Sequence, residues 1–183
     1  MTVLDGRVTR GARNREAIAD ALLACYDAGS LRPTVPEVAA RAGVSVRSVH
    51  NHFADLETLR AEVAQRQWQR FAPIIGPAAT IEEFVAQRAE LYEAVTPVRR
   101  AALVAIHGSP TIASTLARVD RVLRRHLEET LGKETSADTL DALELVASWD
   151  AWNRLRVAQG CSVARARRIL VDLIRTLTEG HVT

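Results

Sequence analysis

Thr34-Val35-Pro36-Glu37-Val38-Ala39-Ala40-Arg41-Ala42-Gly43-Val44-Ser45 is the most informative stretch of this 183-residue chain. It opens with a capping box: Thr34 can accept from a first-turn amide while Glu37 reaches back to the cap. Pro36 sits where its missing N–H costs nothing. The helix so started ends at Ala42-Gly43, and Ser45 caps another that runs to about Phe53. The connection between them has the length used by helix-turn-helix modules. With Val35 as the first position, Ala39 falls at the fifth, Gly43 at the ninth and Val49 at the fifteenth. A small Ala39 lets the two helices cross closely, and Gly43 can take the positive φ of a tight turn. Val44 and Val49 point back into a small core shared with the preceding helix. Val46, Arg47, Ser48 and His50 are left on the opposite face, free to enter a major groove. The same residues also read as a helical hairpin with no nucleic-acid role.

Outward from this stretch the pattern stays helical. A first helix over about Arg13 to Ala28 carries Ile18, Leu22, Cys25 and Tyr26 on one face and stops at Gly29. Asp55 caps a fourth helix with Leu59, Val63 and Phe71. Thr80-Ile81-Glu82-Glu83 opens a fifth, Thr96-Pro97 a sixth to His107-Gly108, and Ser109-Pro110 a long seventh. The eighth is expected from Ser136 or Asp138 to about Gln159, and the ninth from Ser162 to about Thr178. No alternating run argues for a strand. The expected fold is all-α with nine helices, divided as residues 1–54 and 55–183.

Composition sets bounds. The chain is 48% hydrophobic and 25% charged, with a net charge of +2, the balance of an ordinary globular protein. No apolar run approaches the roughly 18 residues of a membrane span, and no signal peptide is evident. Cys25 and Cys161 show no paired spacing, which suits two incidental thiols in a reducing cytoplasm. Residues 1 to 15 hold four arginines against one aspartate (+3), which leaves −1 for residues 16 to 183. The excess therefore lies wholly beside the helix-turn-helix stretch, a modest field that predicts a shallow salt dependence. The five histidines form no HExxH motif, no Cys/His cluster has zinc spacing, and no glycine-rich phosphate loop is present. No catalytic group, metal or cofactor is assigned; an enzyme and a regulator that acts through a protein partner remain the rival readings.

Thr34 to Ser45, followed by His52-Phe53 and Leu59, resembles the DNA-binding segment of the TetR family of bacterial transcriptional regulators. The match is dense over residues 13 to 60. The resemblance implies a three-helix helix-turn-helix domain over residues 1–54 and a helical effector-binding and dimerisation domain over 55–183. It implies a homodimer, a double-stranded DNA operator and a small, largely apolar effector; repression is the commoner behaviour in that family. By the same resemblance Thr34 touches a backbone phosphate, and Ser45, Val46, Arg47 and Ser48 form the first turn that faces base edges. Arg47 suits direct readout because its fork matches O6 and N7 of guanine. His50, Asn51 and His52 complete the expected DNA contacts, with His50 and Leu56 standing where the family usually has Tyr and Lys. Arg7, Arg10, Arg13 and Arg15 read either as an arm that reaches phosphates or the minor groove, or as a solvated tail.

For the rest of the chain, Trp68, Phe84, Tyr92, Leu103, His107, Trp149, Asp150 and Asn153 are the candidate effector-binding residues, with core packing as their alternative reading. The eighth helix is apolar around more than half its girth, so it needs cover on two sides. Leu145, Trp152, Leu155 and Arg156 from it, with Leu170, Leu173 and Leu177 from the ninth, are the expected isologous interface.

Overall fold

The computed structural model describes residues 3–132 and 135–180. Among them are eight α-helices of seven residues or more and no strand. In chain order these are α1 (Val3–Asp27), α2 (Val35–Ala42), α3 (Val46–His52), α4 (Leu56–Phe71), α5 (Ile81–Ala105), α6 (Pro110–Leu131), α7 (Ala137–Val146) and α8 (Val163–Glu179). A one-turn α segment, Trp149–Asn153, runs on as a π-helical turn over Arg154–Ala158.

The all-α expectation holds, and the count of nine is corrected to eight. The expected fifth and sixth helices are one, because α5 passes through Pro97 without a break. Proline removes one bond of the ladder, yet helix continues where packing on both sides fixes its direction. Tyr92 before Pro97 and Ala101 after it are each buried in a core, and the Thr96 hydroxyl donates to the Tyr92 carbonyl at 2.5 Å. The expected eighth helix, conversely, is divided at Ala147-Ser148. The Ser148 hydroxyl donates to the Leu145 carbonyl at 2.8 Å and accepts from the Ala151 amide at 3.1 Å. One side chain thereby ends α7 and caps the next turn, the local competition with the helix ladder that serine favours. A third correction concerns α1, which begins at Val3 rather than Arg13, so the stretch expected as an arm is helical.

The chain forms two compact units: Met1–Gln69 with Pro97–Leu116, and Arg70–Thr96 with Ala117–Thr183. The first unit has a core of Ile18, Leu22 and Tyr26 from α1, Val38 and Ala39 from α2, Val49 from α3, Phe53, and Leu59 and Val63 from α4. Burying each of the larger apolar side chains is worth about 1.5–3 kcal/mol, so this core suffices to hold the short α2 and α3 against α1 and α4. The second unit packs Phe84, Leu91 and Tyr92 of α5 with Leu127 of α6, Leu143 of α7, Trp149, Trp152 and Leu170 and Ile174 of α8.

Candidate nucleic-acid interface

The site is built on the cap chemistry that begins α2. The Thr34 amide donates to Glu37 Oε2 at 2.6 Å, and the Glu37 amide donates back to Thr34 Oγ1 at 3.4 Å. The Thr34 hydroxyl also donates to Glu37 Oε2, at 2.8 Å. These two donors, the amide first, hold the Glu37 carboxyl below its ordinary value. Both residues are exposed, so Thr34 is accessible but its hydroxyl proton is already engaged.

After α2 the chain turns at Gly43, whose φ of 67° lies in the left-handed region. The Gly43 and Val44 amides return to the carbonyls of Ala40 and Ala39 at 3.3 and 3.0 Å, closing the helix end. Ser45 then accepts from the Ser48 amide at 3.1 Å and caps α3. Along α3, Val49 is 3% exposed and faces the core, whereas Val46 is 40% exposed. Arg47, His50 and Asn51 are exposed; Ser48 and His52 are half-buried. Arg47 makes no hydrogen bond or ion pair among the described residues. A charged, uncommitted fork on the outer face of a short capped helix can form bidentate hydrogen bonds to a planar acceptor pair.

What orients α3 lies behind it. Arg15 of α1 donates through Nη1 to the His52 carbonyl at 2.6 Å, and through Nη2 it pairs with Glu62 of α4. Its guanidinium carbon lies 4.3 Å from the centroid of the Phe53 ring. Glu62 also holds Arg66. Burial pushes the Glu62 carboxyl up, but the two arginines together bring it below its ordinary value. Arg41 ties α2 to α1 through the Ala24 carbonyl at 2.9 Å. Asp55 caps α4 by accepting from the Thr58 amide at 2.7 Å, and Leu56 packs half-buried against the core.

Of the four arginines expected near the N-terminus, Arg15 is thus part of the scaffold. Arg10 and Arg13 are exposed on α1, and the Arg7 side chain lies outside the described residues. The Arg15–Glu62 pair joins residues 47 positions apart and carried no signal in the sequence.

The expected effector residues are divided between the two units. Trp68, Leu103 and His107 belong to the first unit and the other five to the second. Phe84, Tyr92 and Trp149 are 0, 2 and 3% exposed in the core of the second unit. Tyr92 Oη donates to the Ala147 carbonyl at 2.7 Å, and Trp149 Nε1 to Thr96 Oγ1 at 3.0 Å. Asn153 is half-buried, and Asp150 is exposed at a cleft of about 350 Å³. Leu145, Leu155, Leu170 and Leu173 line that same cleft, which brings four of the seven expected interface residues together. Leu145 is 72% exposed and Leu173 44%. Trp152, by contrast, is turned inward, with Nε1 donating to Glu93 Oε1 at 2.9 Å. Arg156 grips the same carboxylate at 2.8 and 3.0 Å, and this grip, ahead of burial, sets the Glu93 carboxyl below its ordinary value. Leu177 is half-buried against the core.

Solved structures share this architecture. A transcriptional regulator from Rhodococcus sp. Rha1 superposes with a TM-score of 0.71 at 18% identity, covering 93% of this chain and 96% of that one. A candidate TetR-family transcriptional regulator from Mesorhizobium loti gives 0.66 at 17% identity, with 93 and 98% covered. The multidrug binding protein EbrR, solved with imidazole, gives 0.63 at 22% identity, with 87 and 94% covered. These likenesses show that the chain has the fold of the TetR-family regulators. No family model matches the chain, and no curated protein matches it in sequence.

Proposed function

We propose that this chain is a TetR-family transcriptional regulator that binds a two-fold symmetric DNA operator as a homodimer. The observation that carries the reading is the face of α3: Arg47 exposed and uncommitted, beside exposed Val46, His50 and Asn51, with Val49 locked into the core behind it. Residues 1–54 form the reading head in this proposal. Arg47 reads a guanine edge, Val46 contacts an apolar base surface, and Ser45, Ser48, His50, Asn51 and His52 contact bases and phosphates. Thr34 meets a phosphate by redirecting its hydroxyl from Glu37, and Arg10 and Arg13 add positive charge from α1.

Residues 55–183 hold the effector and the dimer contacts. Two recognition helices must sit roughly 34–36 Å apart to read half-sites one turn apart, which demands two copies. The exposed apolar Leu145 and Leu173 at the cleft support a partner there. The likeness to a multidrug binding protein supports a small, largely apolar effector. Effector binding acts by population shift, favouring a dimer with misspaced heads, and it shifts the equilibrium only by its differential affinity for the two states. Helix α4, which runs from the first unit into the second, is the lever. The chain acts as a cytoplasmic repressor; no helix among the described residues is long and apolar enough to cross a membrane.

Selection of bound sequences from a random duplex pool tests the reading. A palindromic site is expected, with Arg47→Ala relaxing preference at one base pair by about 1–3 kcal/mol. Equal loss on selected and random duplexes would remove Arg47 from base readout. Failure to retain any duplex at low salt would overturn DNA binding itself.

A further inference from the structure

Two helices of the first unit begin at the same carboxylate. Glu57 is half-buried in the first turn of α4, whose cap is Asp55. Its Oε1 accepts the Ser109 hydroxyl proton at 2.8 Å, across 52 positions of chain. Ser109 is the cap of α6 and is 4% exposed. Its Oγ accepts from the Ile112 amide at 3.1 Å, and its carbonyl accepts from the Ala113 amide at 3.0 Å. One hydroxyl therefore starts α6 and ties that start to α4. Both residues belong to the first unit, as do Pro97–Leu116, the parts of α5 and α6 on either side of the Ile106–Gly108 turn. That corner is also seated on the core behind α3, where Ala101 is buried and Val98 packs against it.

The arrangement has an electrostatic reason. The amino-terminal ends of helices carry partial positive charge and unpaired amides, so two of them brought together repel unless an anion lies between. Glu57 supplies that anion. It also accepts a hydroxyl already fixed as a cap, which narrows the bond to one geometry. Apolar contacts such as those of Ala101 and Val98 resist separation, but they are non-directional and permit sliding. The Glu57–Ser109 bond is directional. It also lies only four residues from Phe53, the 2% exposed residue that ends α3. The bond therefore fixes how the starts of α4 and α6 meet, one short step along the chain from α3. Helices α5 and α6 both continue from this corner into the second unit, which holds the proposed dimer contacts.

We propose that Glu57, held by Ser109, is the positioning residue that sets which operator half-site spacing the dimer accepts, without itself touching DNA. Assignment to operator spacing rests on the regulator reading above. The test uses the full chain and duplexes that carry the selected half-sites at their selected separation or at one changed by one or two base pairs, compared by competition gel shift. Wild type is expected to prefer the selected separation by about tenfold, the equivalent of one charged hydrogen bond. Glu57→Ala should fold and reduce that preference to less than about threefold, while single-base changes inside a half-site cost what they cost wild type. Ser109→Ala, which also loses the cap of α6, should show the same loss of spacing preference. Glu57→Gln keeps an oxygen for Ser109 and should fall between. Ile18→Val truncates the same core but leaves the bond intact, so it controls for lost stability and should keep the wild-type preference. An unchanged spacing preference in Glu57→Ala or Ser109→Ala, or an equal loss in Ile18→Val, would overturn the positioning role. Altered base preference in Glu57→Ala would overturn it as well. A wild-type chain that binds at every separation alike would sink this role while leaving DNA binding standing. Failure to retain any duplex would refute the regulator reading and the spacing role together.

Discussion

Arg15 of α1 donates to the main-chain carbonyl of His52, the last residue of α3, at 2.6 Å. One guanidinium therefore fixes the end of the proposed recognition helix and, through Glu62, the flank of α4. Arg15→Ala should destabilise the chain by about 1–2 kcal/mol, since a charge-assisted bond is lost while partial exposure weakens the ion pair. Because Arg15 acts behind α3 and not on DNA, the variant should lose affinity for selected and random duplexes in equal proportion. Chemical denaturation and competition gel shifts check both parts; altered base preference would contradict the scaffold role.

Gly43 takes its φ of 67° with no atom within 4 Å of where a Cβ would stand. The cost of a side chain there is thus backbone strain and not a clash. Gly43→Ala should lower stability by about 1–2 kcal/mol, and Gly43→Asn by less, because asparagine tolerates the left-handed region. The difference in Tm between the two variants measures it.

Leu145 and Leu173 stand exposed at one cleft, whereas Leu170 beside them is 1% exposed. Leu145→Glu with Leu173→Glu should leave the helical circular dichroism unchanged and give a monomeric mass by light scattering. Leu170→Glu should instead unfold the chain, because a carboxylate would enter the core unpaired. A wild-type chain that is monomeric at micromolar concentration would contradict the proposed dimer.

His126 titrates below its ordinary 6.5, first because it is buried and then because Arg88 repels a second positive charge. The folded state thus binds the proton less readily than the unfolded chain. Stability is fully present above 6.5 and falls as pH drops below it toward the folded-state value. The urea midpoint should therefore decrease between pH 7.5 and 5.5, and His126→Gln should flatten that part of the profile. An identical slope in the variant would assign the effect to another group.

Much of the helix-turn-helix was legible because its determinants are local. Capping at Thr34 and Ser45, the turn at Gly43 and the small Ala39 act over three to nine residues, and the chain cannot satisfy them in another way. Helix continuity was less legible. Pro97 reads as a start, yet α5 continues through it because packing on each side outweighs one missing bond. Ser148 reads as an interior residue, yet its hydroxyl divides a helix.

By itself the sequence determined the helical class, the helix-turn-helix geometry and the outward residues Val46, Arg47 and His50, since period and cap chemistry are short-range; Ser48, expected on the same face, is half-buried. Only the tertiary structure decided which polar groups meet across the fold. Arg15 finds Glu62 across 47 positions, and Trp152 finds Glu93 across 59. Periodicity marks Trp152 and Leu145 alike as apolar, but one is buried and the other bare, because a helix apolar on two sides does not specify which side its own core will take. Arg88 and His126 are unremarkable in the sequence. Burial around Phe84 turns them into an unbalanced charge, because desolvation is a property of the packed environment and not of the residue.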